Sequence, residues 1–532
     1  MNKLQIKAEI LATIRAISNT TNPTPSLLTD LKNIEDKKTV FDILIKELSN
    51  ADEHKSLIIC WLLTEVIEKE ELNNSLWDVI KDSTTTDHIK MIAFNMLKDL
   101  GNQIDYDVIS GYFEQFNELI NKETKDLLDT AIMNPEAQID FMDFLNALAD
   151  DDKILLIKSL EEDYTSDALA NILIPVFLYY VGTPVGDEAL DILGRSRSQL
   201  AFHALENAKP YVTPDILINV NKALSSLKLS GIRVDNTEEF YKNILNESKP
   251  YKCYISFPDG HGNLALIFSR KRKNNTLQFL ATVVNPHYGM LDAFGFNSMG
   301  ESDFEKIIDK FYNYQEKYEI SAGIVKHILK QAVDTTYINK DVLPYEYICW
   351  ESILLDIKEE EPRLDIEKIE LNQKTIDELC LNDYVQNWFF DEITTPEFKT
   401  FIDKLSREYK SNNFTVDLDK FIADNYDVVY TPQELGCMLV IFNVAAYLRA
   451  IKGDNQLAQV FYSLGTNYAF LTNILRKSIY EYYVGKRYIL KNRREASNMF
   501  EKKLQPKTDD FELLQLDMII SSIEAKWVDN NA

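Results

Sequence analysis

The amino-acid sequence predicts a mainly α chain with one α+β insert, and three observations carry that expectation. First, residues 1–245 and those beyond 363 place apolar side chains at helical spacing, in stretches of about 10–16 residues separated by short polar breaks. Second, residues 251–300 change to strand-like runs and hold five of the sixteen glycines: Gly260, Gly262, Gly289, Gly295 and Gly300. Third, that segment carries a formal charge of +3, against −27 for all 532 residues. A chain of this length exceeds one hydrophobic core. The expected division is a helical domain at 1–248, an α+β domain at 249–358 and a helical domain at 363–532, with Glu359-Glu-Glu-Pro362 as a linker.

With 45% hydrophobic and 27% charged residues the composition is that of a folded protein, not of a disordered one. Met1–Ile10 mixes charges into its apolar positions and reads as an amphipathic helix, not a secretory signal. Continuous apolar runs fall short of the ~18 residues that a membrane helix needs. Ala168–Val181, with Asn171 and Pro175, and Leu435–Leu448, with Asn443, read as buried core helices, so no membrane span is expected. The cysteines (Cys60, Cys253, Cys349, Cys380, Cys437) are odd in number and form no C-x-x-C, which argues for free thiols in a reducing compartment, the cytoplasm.

Charge divides the chain further. Residues 1–250 hold 24 basic and 42 acidic side chains, net −18, and residues 301–450 hold 16 and 30, net −14. Acidic surfaces of that size repel phosphate backbones, which makes duplex nucleic acid a poor partner. A protein with a basic or apolar face is the expected partner.

Two N-terminal segments align at an offset of 34: His54–Ile67 on His88–Gly101. Apolar pairs fall at Leu57/Met91, Ile58/Ile92, Leu62/Met96, Leu63/Leu97 and Val66/Leu100, one helical face used twice. Further on, the wholly apolar helix Ser166–Val181 is followed by a Gly-Thr-Pro turn, then Asp187-Glu-Ala-Leu-Asp-Ile-Leu-Gly194 and Ser198–Ala208. This arrangement resembles the HEAT-repeat family over roughly residues 50–230. The resemblance implies an α-solenoid that acts as a protein-binding scaffold.

In the insert, Tyr251–Phe257, Asn263–Ser269 and Thr276–Val284 read as three antiparallel strands joined by the turns 258–262 and 270–275. Ser302–Glu305 reads as a capping box that opens a helix to about Lys317, with a second helix near Ala322–Asp334. Meander geometry brings the end of the third strand back beside the first turn. His261 and His287 should therefore be neighbours, with Asp259 and Asp292 as carboxylate companions, a set suited to proton transfer or to a divalent metal. Ordinary turn chemistry, with both histidines facing solvent, is the simpler account of Asp-Gly-His-Gly and Asn-Pro-His. No metal signature is present, and neither a metal nor a cofactor is expected. Residues Gly289–Gly300 read as a glycine-punctuated loop in which Met290, Phe294, Phe296 and Met299 form either a binding surface or a plug. Phosphate-loop and nucleophile-elbow motifs do not occur.

Two basic patches stand out. Arg270, Lys271, Arg272 and Lys273 fall at the opposite sheet edge, as a solvated hairpin tip or a grip for an acidic partner. Residues 476–507 carry ten basic and three acidic side chains, among them Lys486, Arg487, Arg493 and Arg494, interleaved with Tyr480, Tyr482, Tyr483 and Tyr488. That pattern suits single-stranded nucleic acid or docking on an acidic surface of the chain itself. Helices are expected at about 374–390, 395–410, 432–451, 455–463 and 466–490.

The first functional expectation is a non-enzymatic interaction scaffold. The rivals are a metal-dependent enzyme or ligand-binding module at 258–292, and a single-stranded nucleic-acid binder.

Overall fold

The computed structural model describes residues 3–18, 25–102, 104, 106–232, 236–313, 316–390, 395–412, 416–500, 513–521 and 523–524, with the backbone alone for 25–26, 53, 106–107, 117, 123 and 492–500. The chain is mainly α, with one five-stranded sheet in its middle and helices at both ends. It divides into two compact units, Met1–Leu127 and Leu128–Ala532.

The first unit contains α1 (Lys3–Ser18), α2 (Thr29–Lys32), α3 (Lys37–Leu48), α4 (Glu53–Val66), α5 (Lys69–Lys81), α6 (Asp87–Asp99), α7 (Tyr106–Ser110) and most of α8 (Phe116–Ala131). Asp36 and Asp52 start α3 and α4 by accepting the orphan amides of Thr39 and Lys55. Leu44, Leu62, Leu63, Leu72, Leu76 and Leu97 are fully buried in its core. Of the pairs at offset 34, Leu62/Met96 and Leu63/Leu97 are buried as expected, but Leu57 is 66% exposed where its counterpart Met91 is buried. The shared face thus fails at its first position.

The second unit opens with α9 (Pro135–Asn146), α10 (Asp150–Asp163), α11 (Ser166–Tyr179), α12 (Pro184–Arg195), α13 (Gln199–Ala208), α14 (Pro214–Leu229) and α15 (Thr237–Ile244). Proline at the first turn of α9, α12 and α14 costs no hydrogen bond there and fixes the helix starts. α11 packs on α9 and α13, while α12 packs on α10 and α14, so alternate helices stack in two rows. Side chains bridge successive layers at nearly constant sequence separation: Gln138 Nε2 to the Asn171 carbonyl (3.2 Å, 33 residues), Tyr164 to Asp129 (2.7 Å, 35 residues), Arg195 to Glu161 (3.0 Å, 34 residues) and His203 to Thr237 (3.0 Å, 34 residues).

The sheet has the order β4-β3-β2-β1-β5, with antiparallel neighbours throughout, from β1 (Ser248–Ser256), β2 (Leu264–Arg272), β3 (Leu277–Asn285), β4 (Gly289–Met299) and β5 (Lys317–Glu319). The three-strand expectation is therefore two strands short. One face packs Ile267, Phe279 and Ala281 against Phe304 and Ile308 of α16 (Glu301–Phe311). The other face packs Leu266, Phe268 and Leu280 against α17 (Ala322–Ile338) and Trp350 of α18 (Tyr345–Trp350). Both faces are covered, which is why β2 and β3 read as nearly continuous apolar runs. The expected capping box does not form: α16 starts at Glu301 behind Gly300, without a side-chain cap, and ends early because residues 317–319 pair with β1.

Beyond the sheet lie α19 (Gln373–Cys380), α20 (Pro396–Ser411), α21 (Leu418–Val429), α22 (Pro432–Ile451), α23 (Asn455–Leu464) and α24 (Tyr468–Phe500). α22 is the one described helix that is long and apolar enough to cross a membrane, yet it buries Ile441, Phe442, Ala445, Ala446 and Leu448 inside the unit. No strong membrane span is indicated among the described residues. Arg449 of α22 donates to Tyr318 (3.1 Å), Glu316 (3.2 Å) and Asp454 (2.9 Å), tying the sheet to the C-terminal helices. The acidic linker is docked as well: Glu359 meets His327 at 2.7 Å and Glu360 accepts from Ser321 Oγ at 2.7 Å. The expected boundaries at 248 and 358–363 thus fall inside one compact unit.

Candidate functional site

The meander places the two histidines at one end of the sheet, as its topology requires. Asn285 joins their backbones: its Nδ2 donates to the His261 carbonyl (2.8 Å), and its Oδ1 accepts from the His287 amide (2.8 Å). The side chains then part. Asp259 folds back on its own turn and accepts from the amides of His261 and Asn263, both at 2.9 Å. The His261 ring sits edge-on to Phe389, 5.7 Å between centroids. Asp292 is exposed on β4, where it accepts from the Ala293 amide. The expected cluster of Asp259, His261, His287 and Asp292 does not assemble, because C-terminal residues cover this end of the sheet. Gly260 lies so close to the Asn387 carbonyl that a Cβ there would overlap it.

His287 finds other company. Its Nδ1 lies 3.3 Å from Glu434 Oε2 and 3.7 Å from Cys437 Sγ, both on α22. These two neighbours, the sulfur first, push the imidazole up to about 10 against the opposing effect of burial, so it is cationic at neutral pH. A catalytic histidine of the triad kind needs its nucleophile and its orienting carboxylate on opposite ring nitrogens. Here both partners share Nδ1, so the arrangement serves as a latch between sheet and helix. Among the described residues no group of three or more His, Cys, Asp or Glu could hold a metal ion.

The expected binding loop is strand β4. Met290 is buried with the α17 face of the sheet, whereas Met299 packs with the α16 face, so the four apolar residues do not share a surface. Phe294 (36% exposed) and Phe296 (39% exposed) flank Phe279 with ring centroids at 6.1 and 5.5 Å. Gly295 is what allowed the loop reading, and its lack of a Cβ is what lets Trp350 lie on the strand.

The first basic patch is largely neutralised. Arg270 is 1% exposed and uses all five N–H groups: Nε to Ser248 Oγ (2.9 Å), one amino group to the Ile353 carbonyl (2.9 Å) and Asp356 (2.8 Å), the other to the Ser248 carbonyl (3.1 Å) and Asp356 (3.0 Å). Arg272 donates to the Asn297 carbonyl and side chain. Lys271 pairs with Glu301 (3.2 Å) and Lys273 with Glu247 (2.5 Å). In the second patch Arg487 pairs with Asp517 (2.6 Å), and Lys486 sits 4.3 Å from the Tyr482 ring centroid. The side chains of Arg493 and Arg494 lie outside the described residues.

Sequence reasoning missed a pocket of about 90 Å³ between the stacked helices and the helices that cover the sheet. Glu351, which opens a 3-10 turn after α18, faces it along with Tyr211, Tyr241 and Tyr337. No hydrogen-bond donor reaches the Glu351 carboxylate among the described residues, and burial pushes its carboxyl up to about 7 although Lys326 opposes the shift. Burial holds Tyr211, Tyr241, Tyr337 and Tyr347 above the usual phenol range; the Glu351 charge adds to it in each, at Tyr211 behind the hydrogen bond and charge of Asp334. These residues span 140 positions in sequence, and no local motif links them.

No protein-family model, curated protein or solved structure matches this chain.

Proposed function

We propose that the chain is a non-enzymatic interaction scaffold whose stacked helix pairs, HEAT-like in their layering, present an acidic surface to a protein with a basic or apolar face. The observation that carries this reading is the row α10, α12, α14, in which each layer contacts the next and the outer side chains are left to solvent. On α10, Asp151, Asp152, Glu162 and Asp163 are exposed and form no ion pair among the described residues. Leu155 (65% exposed) and Ile218 (68% exposed) add apolar surface to the same row. A helix pair cannot bury its apolar face alone, so stacked pairs leave an extended outer surface for partners. The neutralised patch at 270–273 and the net charge of −27 speak against nucleic acid. Five free cysteines support a reducing compartment such as the cytoplasm.

Affinity capture of the full chain from its host lysate, with and without nuclease, tests the reading. A stoichiometric protein that survives nuclease and is released by salt is the expected result. Capture of nucleic acid alone, lost on nuclease treatment, contradicts it.

A further inference from the structure

We propose that the pocket at Glu351 binds a small aliphatic amine, taken as its ammonium ion by the Glu351 carboxylate within a ring of tyrosines. The inference does not rest on the scaffold reading.

Three features select this ligand. The carboxylate faces the pocket half-buried, with no donor among the described residues, and a carboxylate partly withdrawn from water behind apolar walls favours a cation beside it. Lys326 is the one cation that influences it, but that ammonium is committed to the Ile357 carbonyl (2.5 Å) and responds more strongly to Glu238 and Asp356 than to Glu351. The second feature is room. The free volume of about 90 Å³ exceeds the roughly 10–15 Å³ that one water requires on that measure, so several waters or a ligand of a few heavy atoms fit. The third is the wall. Apolar Leu200, Val333 and Ile348 line the pocket together with Tyr211, Tyr241 and Tyr337, a surface for an alkyl chain with aromatic rings beside its charged end. Tyr211 and Tyr337 stack 4.7 Å apart, and the Tyr211 hydroxyl is anchored on Asp334 at 3.0 Å.

An ammonium ion pairs only with the ionised carboxylate. With the carboxyl at about 7, the ionised fraction rises about tenfold between pH 6 and pH 8, and affinity rises with it. The other titratable groups around Glu351 keep their charge state through this window in the direction that matters. Burial holds Tyr211, Tyr241, Tyr337, Tyr347 and Cys349 above their ordinary values, so all stay protonated. Lys326 is lowered by burial, and any loss of its proton strengthens the attraction for a second cation.

The test is calorimetric titration of the full chain with n-butylammonium and, separately, with the uncharged isostere n-butanol, at pH 6, 7 and 8. The expected result is saturable binding of the amine alone, about tenfold tighter at pH 8 than at pH 6. Glu351→Gln should weaken it at least tenfold. Glu361→Gln, the same charge change at an exposed position, should leave it unaltered. Repeating the pH 7 titration in two buffers of different ionisation enthalpy should show about half a proton released per amine bound. This readout needs only the native chain and decides the matter if Glu351→Gln does not fold. Equal binding of amine and alcohol, equal effects of the two substitutions, no proton release, or no saturable binding at millimolar amine would each overturn the proposal.

Discussion

Arg270 shows how far single residues could be read. Because β2 runs on to Arg272, alternation puts Arg270 and Arg272 on one face and Lys271 on the other, while Lys273 lies in the turn beyond, so the tetrad is not one surface. What the alternation cannot supply is Asp356, the carboxylate 86 residues away that makes burial of Arg270 tolerable. Replacing one partner of such a pair strands the other: Arg270→Met should cost about 3–5 kcal/mol in urea unfolding, whereas Lys273→Ala at the surface should stay within about 0.5 kcal/mol. His287 and Glu351 give opposite pH signatures. His287 is raised in the folded state, so its contribution is complete below the unfolded value of 6.5 and is lost as pH rises through about 10. The stability difference between wild type and His287→Gln should accordingly shrink between pH 6 and pH 10. Glu351 is an acid with a raised value, so the folded state binds the extra proton, and stability falls as pH rises from about 4.5 to about 7. Glu351→Gln should therefore stabilise the chain by on the order of 1–3 kcal/mol at pH 8 and by much less at pH 4.5.

Elements were legible where period and punctuation agreed. α22 coincides with its expected span, since Thr431 caps it, Pro432 starts it and the run behind them at 435–448 is apolar but for Asn443. β4 was not legible, because Gly289 and Gly295 are loop signals until the partner that needs them is known. Gly289 takes φ +83° after the turn, and a Cβ there would strike Thr336. Likewise α21 and the short β5 depend on tertiary neighbours, the core of the C-terminal helices for one and β1 for the other. The candidate site failed for a related reason: the meander correctly converged at Asn285, but nothing local announces that residues 387–389 and α22 close over it. Gly260→Ala forces the 258–262 turn off the Asn387 carbonyl. A melting experiment should show a loss of about 1–3 kcal/mol, with the far-UV spectrum unchanged.

For the whole molecule, the acidic charge and the mainly α fold with its central sheet were open to inspection, while the break between the two compact units was not marked. Side-chain bridges at separations of 33–34 residues join Gln138 to Asn171, Glu161 to Arg195 and His203 to Thr237. Bridging residues are polar and vary in type, so an alignment of apolar faces passes over them. The break between units lies within α8, a continuous helix without proline, glycine or linker composition to mark it. Charge makes the scaffold reading testable at this scale, because contacts between exposed charges accelerate encounter and are screened beyond about 8 Å at physiological salt. The most direct measurement compares partner association for two variants of equal net charge. One carries Asp151→Asn, Asp152→Asn, Glu162→Gln and Asp163→Asn on α10; the other carries Glu361→Gln, Asp365→Asn, Glu367→Gln and Glu370→Gln in the exposed segment before α19. If the helix row is the docking surface, the α10 variant associates about tenfold more slowly at low salt and the second behaves as wild type. Equal rates for the two variants would contradict it.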